Sequence, residues 1–264
     1  MMSRYSDKYF TTDTDLKNLG SKTARRGVVA ISGQAIVFAV QFSGIIILAR
    51  MLPPSDFGLV GMVTVLMVLI RFFRDFGLTK ATMQRAVISR PEISNLFWIN
   101  AGISLLFGVL LVACAPLIAL FYGREELTQI AMVLAGGIFI EGLGLQHRAL
   151  MMRGMQFAKL AFCDVVSQCL SVGAALIAAF HGLGYWALVL MPIVGSVTRL
   201  FFILWFTRWV PSMISNHGDT RSYLFFGSNL FGYNLLNYFL RNTDNILIGR
   251  LLGADSVGLY SYAH

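Results

Sequence analysis

Charge is what this sequence has least of. Asp, Glu, Lys and Arg make up 13% of its 264 residues, against 56% hydrophobic residues, and mean hydropathy is +0.69. A soluble domain carries about 25% charged residues, so a single water-soluble globule is excluded: too few charges exist to cover its surface. Disorder is excluded as well, because it requires low hydrophobicity. Cysteine is scarce. Cys114, Cys163 and Cys169 all lie in apolar runs without metal-ligand spacing and read as buried free thiols. Dinucleotide-binding and phosphate-loop glycine patterns, a CxxC, a Ser/His/Asp spacing suggestive of a nucleophile and paired outer-loop carboxylates are all missing. No cofactor, no metal and no enzyme chemistry is therefore expected. Met1 to Ser21 is polar, lacks the apolar stretch of a signal peptide and reads as a cytoplasmic tail.

What is present is a series of long apolar runs, and a spanning helix needs about 20 such residues. The runs are Val28 to Leu48, Phe57 to Phe73, Ile93 to Phe121, Leu127 to Leu145, Leu160 to Phe180, Gly184 to Thr207 and Tyr223 to Ile248, with an eighth starting near Val257. The composition predicts an all-α, polytopic transmembrane helix bundle. Residues 1–22 are the tail, 23–210 a six-span lobe and 211–264 the start of a second lobe. Net charge is +8. In a soluble protein that excess suggests nucleic acid; here it reads as the cationic face kept on the cytoplasmic side, with no nucleic-acid partner. Of the 21 Lys and Arg, 17 fall before span one or around the even-numbered connections, three around the odd-numbered ones, and Arg241 lies inside span seven. That asymmetry places the N-terminus in the cytoplasm. Trp98, Tyr122, Tyr185, Trp186, Trp205, Trp209 and Tyr223 fall near the expected interfaces, and the 25 glycines read as helix-packing sites.

An internal repeat is visible. Residues 46–59 and 246–259 align without a gap, with Ile46/Ile246, Arg50/Arg250, Leu52/Leu252, Gly58/Gly258 and Leu59/Leu259 identical. A repeat of six spans, an even number, runs both copies in the same direction, as in transporters built of two parallel bundles. Most of the second copy is missing, so the chain reads as a truncated product or fragment.

The joint Leu48-Ala49-Arg50-Met51-Leu52-Pro53-Pro54-Ser55-Asp56-Phe57-Gly58-Leu59 resembles the first outer loop of Wzx-type oligosaccharide flippases. Asp75-Phe76-Gly77-Leu78-Thr79-Lys80, Leu96-Phe97-Trp98-Ile99-Asn100, Gln146-His147-Arg148-Ala149-Leu150 and Gly182-Leu183-Gly184-Tyr185-Trp186 are similar to further segments of that family. The resemblance covers Thr23 to His264. It implies the fold of the multidrug/oligosaccharidyl-lipid/polysaccharide exporter superfamily, with two bundles of about six spans and alternating access. It also implies passage of undecaprenyl-diphosphate-linked sugar repeat units across the bacterial inner membrane for lipopolysaccharide or exopolysaccharide assembly. Implied partners are the lipid-linked oligosaccharide, membrane lipids, and polysaccharide polymerase and chain-length proteins.

Such a substrate carries many hydroxyls and a diphosphate, and each unsatisfied polar group in hydrocarbon costs several kcal/mol. A polar, cationic cavity is required, and arginine's planar fork suits a diphosphate. Arg241 and Asp244, three apart inside span seven, are the sharpest candidates, as diphosphate contacts or as a mutually neutralising pair. Asn237 on the same span and Gln34 and Gln41 on span one read as cavity amides or as interhelical hydrogen-bonding groups. Arg71 and Arg74, ending span two, are diphosphate-capturing residues or snorkelling anchors; Arg199 has the same ambiguity. Glu141 is a proton or cation site or a partner for a neighbouring helix. Asp164 reads as a carboxylate complementing the start of span five, and His147 as a solvated loop residue. Competing functions are a drug exporter of the same superfamily, a membrane enzyme acting on lipid-linked sugars, and a non-transporting fragment. The short outer connections, with no room for a catalytic loop, argue against the enzyme.

Overall fold

In a computed structural model the protein is described for residues 19–74, 79, 82, 88–214 and 232. Among the described residues are six helices: α1 (Leu19–Met51), α2 (Pro54–Arg74), α3 (Arg90–Tyr122), α4 (Glu126–Arg153), α5 (Phe157–Phe180) and α6 (Trp186–Thr207). No strand occurs among the described residues. Five of the helices contain stretches long and apolar enough to cross a membrane; in α2 the apolar part is the shorter Pro54–Val68, and Arg71 and Arg74 follow it. This is the all-α, multi-pass membrane bundle expected. Span seven apart from Gly232, the start of span eight and the second copy of the repeat lie outside the described residues.

The helix ends follow from local chemistry. Ser89 caps α3: its hydroxyl accepts from the Glu92 N–H at 3.4 Å, and the Glu92 carboxylate accepts from the Ser89 N–H at 2.7 Å, satisfying two orphan donors at once. Gly123, at φ 64°, ends the helix in the left-handed conformation. Pro53, the segment around Gly123, and Gly182 with Gly184 reverse the chain within a few residues, so the first three odd-numbered connections are as short as the sequence predicts.

The helices pack in the order α3, α4, α6, α5, α1, with α2 set against α4, α3 and α6. Small residues allow these approaches. Gly33 and Gly44 on α1 face Ala161 and Val172 on α5, where an added Cβ would come within 2.6 Å of each; Gly142 on α4 faces Ser104 on α3. A layer of Val63, Met67, Leu111, Ala115, Ile130, Leu134, Ile138 and Val189 ties α2, α3, α4 and α6 together. Other large apolar side chains point outward, among them Ile31, Leu120, Phe121 and Phe180, as lipid-facing positions do. α1 and α2 are consecutive but share no extensive interface among the described residues, and both line the space beside them.

Three sequence expectations change here. Cys163 is buried, whereas Cys114 and Cys169 are exposed on apolar outer faces, because alternate faces of a helix meet protein and lipid. Trp209 is buried rather than interfacial, packed against Phe97 and His147. His147 is no loop residue: α4 continues past Leu145, and the imidazole, 2% exposed, lies between the Leu143 and Trp209 carbonyls at 3.1 and 3.3 Å. Low hydropathy in that last turn hid the helix, since the covering Trp209 comes from 62 residues away.

Candidate functional site

The space beside α1 and α2 is lined by α1, α2, α4, α5 and α6 and holds two adjacent chambers that share part of their lining. The first, about 340 Å³, lies toward the ends of the helices that carry the even-numbered connections. Gln34, Arg71, Arg74, Glu141, Arg148, Asp164, Ser196 and Arg199 give it its polar lining. The second, about 510 Å³, lies toward the odd-numbered connections and has a mainly uncharged lining. Arg71, Glu141, Ser196 and Arg199 border both.

Two carboxylates organise the charged chamber. Glu141, midway along α4, accepts from Arg71 Nη2 at 2.8 Å and from Arg74 Nη2 at 3.1 Å. Arg74 also donates to the Ile138 carbonyl at 3.0 Å, and its side chain is only 7% exposed. Ser196 Oγ reaches Glu141 at 3.4 Å while donating to the Pro192 carbonyl at 2.7 Å. Asp164 on α5 receives both terminal nitrogens of Arg148, each at 2.8 Å, the bidentate geometry that makes such pairs strong. Arg199 Nε stands 3.2 Å from the same carboxylate without the alignment of a hydrogen bond. Four arginines thus meet two carboxylates, an excess of two positive charges. Arginine stays charged at any physiological pH, so the excess is permanent. Asp164 and Arg199 lie about 10–12 Å from the nearer ends of their helices at 1.5 Å per residue.

The sequence-predicted residues fall as follows. Gln34, Arg71, Arg74, Glu141 and Arg199 line the charged chamber, and Gln41 lines the other. Arg71 and Arg74 are paired to Glu141, not extended outward as anchors, because α4 supplies a carboxylate at their depth. Asn237, Arg241 and Asp244 lie outside the described residues. Arg148 and Asp164 were not among the sequence's cavity candidates. Arg148 is seven residues from Glu141, and two helical turns put the pair on one face; that spacing was the available signal. Asp164 is two turns inside α5, which starts at Phe157 and not at Leu160. A carboxylate that far in gains little from the helix dipole; it pairs with arginines.

The profile of a family described as polysaccharide biosynthesis protein matches residues 47–264. The chain belongs to that family. The resemblance to Wzx-type flippases read from its motifs is upheld by the relatives. The chain is 31% identical over 72% of its length to the teichuronic acid biosynthesis protein TuaB of Bacillus subtilis, covering 40% of that protein. It is 25% identical over 93% of its length to the succinoglycan biosynthesis transport protein ExoT of Rhizobium meliloti, covering 50% of it. It is 26% identical over 93% of its length to the lipopolysaccharide biosynthesis protein WzxC of Escherichia coli, covering 49% of it. The chain therefore spans about half the length, or less, of these relatives. No solved structure matches it.

Proposed function

We propose that this chain takes part in moving undecaprenyl-diphosphate-linked oligosaccharide repeat units across the bacterial inner membrane by alternating access, for surface polysaccharide assembly. Its role in that process is passage, with no bond made or broken. One observation carries the reading: an arginine-rich chamber with two surplus positive charges inside a membrane-embedded bundle. Charges at that depth are costly and mark pathways. A surplus of one sign calls for a counter-charge, and a diphosphate supplies it. Arg148 and Arg199 offer planar donors that can leave Asp164 for phosphate oxygens. Relatives named for succinoglycan transport and lipopolysaccharide biosynthesis support the same substrate class. The basic asymmetry supports a charged chamber nearer the cytoplasm, the side on which lipid-linked sugars are built. Arg241 and Asp244 extend this proposal into span seven.

The test is chromosomal replacement of Arg148 and Arg199 together by Ala. Surface polysaccharide should fall at least tenfold, with lipid-linked repeat units accumulating and protein abundance preserved. The paired Lys replacement should restore export in part, since it keeps the charges and loses the fork. Normal export from the Ala variant would overturn the reading.

A further inference from the structure

We propose that the uncharged chamber is a binding site for neutral sugar rings, with the side-chain amides of Gln41 and Gln168 as its hydroxyl-binding groups. The proposal rests on the assignment of the charged chamber to the diphosphate.

Gln41 on α1 and Gln168 on α5 line this chamber. Neither amide has a hydrogen-bond partner among the described residues. Within a membrane protein, an amide held by a neighbouring helix is explained by packing. Two unpartnered amides on one cavity wall call for a ligand or water instead. Each amide has two donors and an acceptor carbonyl, a set that matches vicinal hydroxyls on a ring, which both donate and accept.

Two hydroxyls add to the set. Thr64 donates to the Val60 carbonyl at 2.8 Å and Ser171 donates to the Met191 carbonyl, which leaves both hydroxyl oxygens able to accept. Pro192 has no N–H to give the Leu188 carbonyl, and both residues line the chamber. Phe57 and Met191 supply apolar surface for the C–H face of a ring. The volume of about 510 Å³ falls within the ~300–1,000 Å³ of small-molecule sites.

Position decides the ligand class. Among the described residues, the only charged ones bordering this chamber are the three it shares with its neighbour, Arg71, Glu141 and Arg199. A diphosphate in the charged chamber would project the group attached to it past that boundary. The lining that group meets is polar and uncharged, as an uncharged sugar requires and a second anion does not.

The experiment measures binding to the purified protein in lipid nanodiscs with two probes, decyl diphosphate and decyl diphosphoglucose. In the unaltered protein the glucosylated probe should bind about tenfold more tightly. Gln168→Met, of similar length, and Gln41→Met should each cost the glucosylated probe about fivefold, the worth of one hydrogen bond, and leave decyl diphosphate unchanged. Equal affinity for the two probes in the unaltered protein would overturn the proposal while the diphosphate assignment stood. Equal losses for both probes in the variants would overturn it too, giving the amides to packing. Failure of both probes to bind would remove the diphosphate assignment and this proposal with it. Helical circular dichroism and elution volume of the variants separate lost binding from lost folding.

Discussion

At the scale of residues, the site is a balance of pairs. Arg74 is nearly buried and relies on Glu141 and the Ile138 carbonyl, whereas Arg71, 44% exposed, can be solvated. Glu141→Ala should therefore lower stability by about 3 kcal/mol, the lower end for a broken buried pair. Adding Arg74→Ala to it should recover part of that loss, because no unpaired buried charge remains. Thermal unfolding in detergent checks this, and a double variant less stable than Glu141→Ala would contradict it. Much of this chemistry was legible in the sequence: Glu141 and Arg199 are charges inside apolar runs, and Arg71 and Arg74 sit three apart at the end of one. Which carboxylate each arginine meets was not, because helix order α4, α6, α5 is set by packing and leaves no local trace. Asp164 could be recognised only once α5 was known to begin at Phe157.

At the scale of elements, small residues position the cavity wall. α1 turns Gly33, Gly44 and Leu48 toward α5, and this leaves Gln34, Val37 and Gln41 on the cavity side. Gly44→Ala pushes a methyl into Val172. It should cost about 1–3 kcal/mol, as overpacking does, and Val172→Ala in the same chain should return most of it. Additive losses in the double variant would mean that the two positions do not touch. Helix number and approximate bounds were read correctly from hydropathy for all six described helices. The largest misreadings of bounds fall at two places: α1 begins at Leu19, within the stretch read as a tail, and α4 continues past Leu145 to Arg153, where His147 and Arg148 lower the hydropathy. Packing against Trp209, far along the chain, compensates for that polarity.

At the scale of the whole molecule, the basic asymmetry of the sequence predicts an orientation, with the N-terminus in the cytoplasm. Single cysteines placed at Ser89 and Arg124, with the native thiols removed, should behave oppositely toward an impermeant reagent. Position 124 should label in intact cells and position 89 should not; the reverse pattern would invert the orientation. Under the proposed function, that orientation would give the charged chamber to a headgroup and the uncharged one to the sugar that it carries. The central claim is that surplus positive charge in this cavity moves an anionic lipid. The most direct measurement is the fraction of lipid-linked oligosaccharide that an external lectin can reach in spheroplasts. It should be compared between chromosomal Arg148→Gln/Arg199→Gln and Asp164→Asn, with protein levels matched. The account predicts that losing the two arginines removes external exposure, while neutralising the carboxylate, which raises the surplus, retains it. Undiminished exposure in the arginine double variant would contradict it.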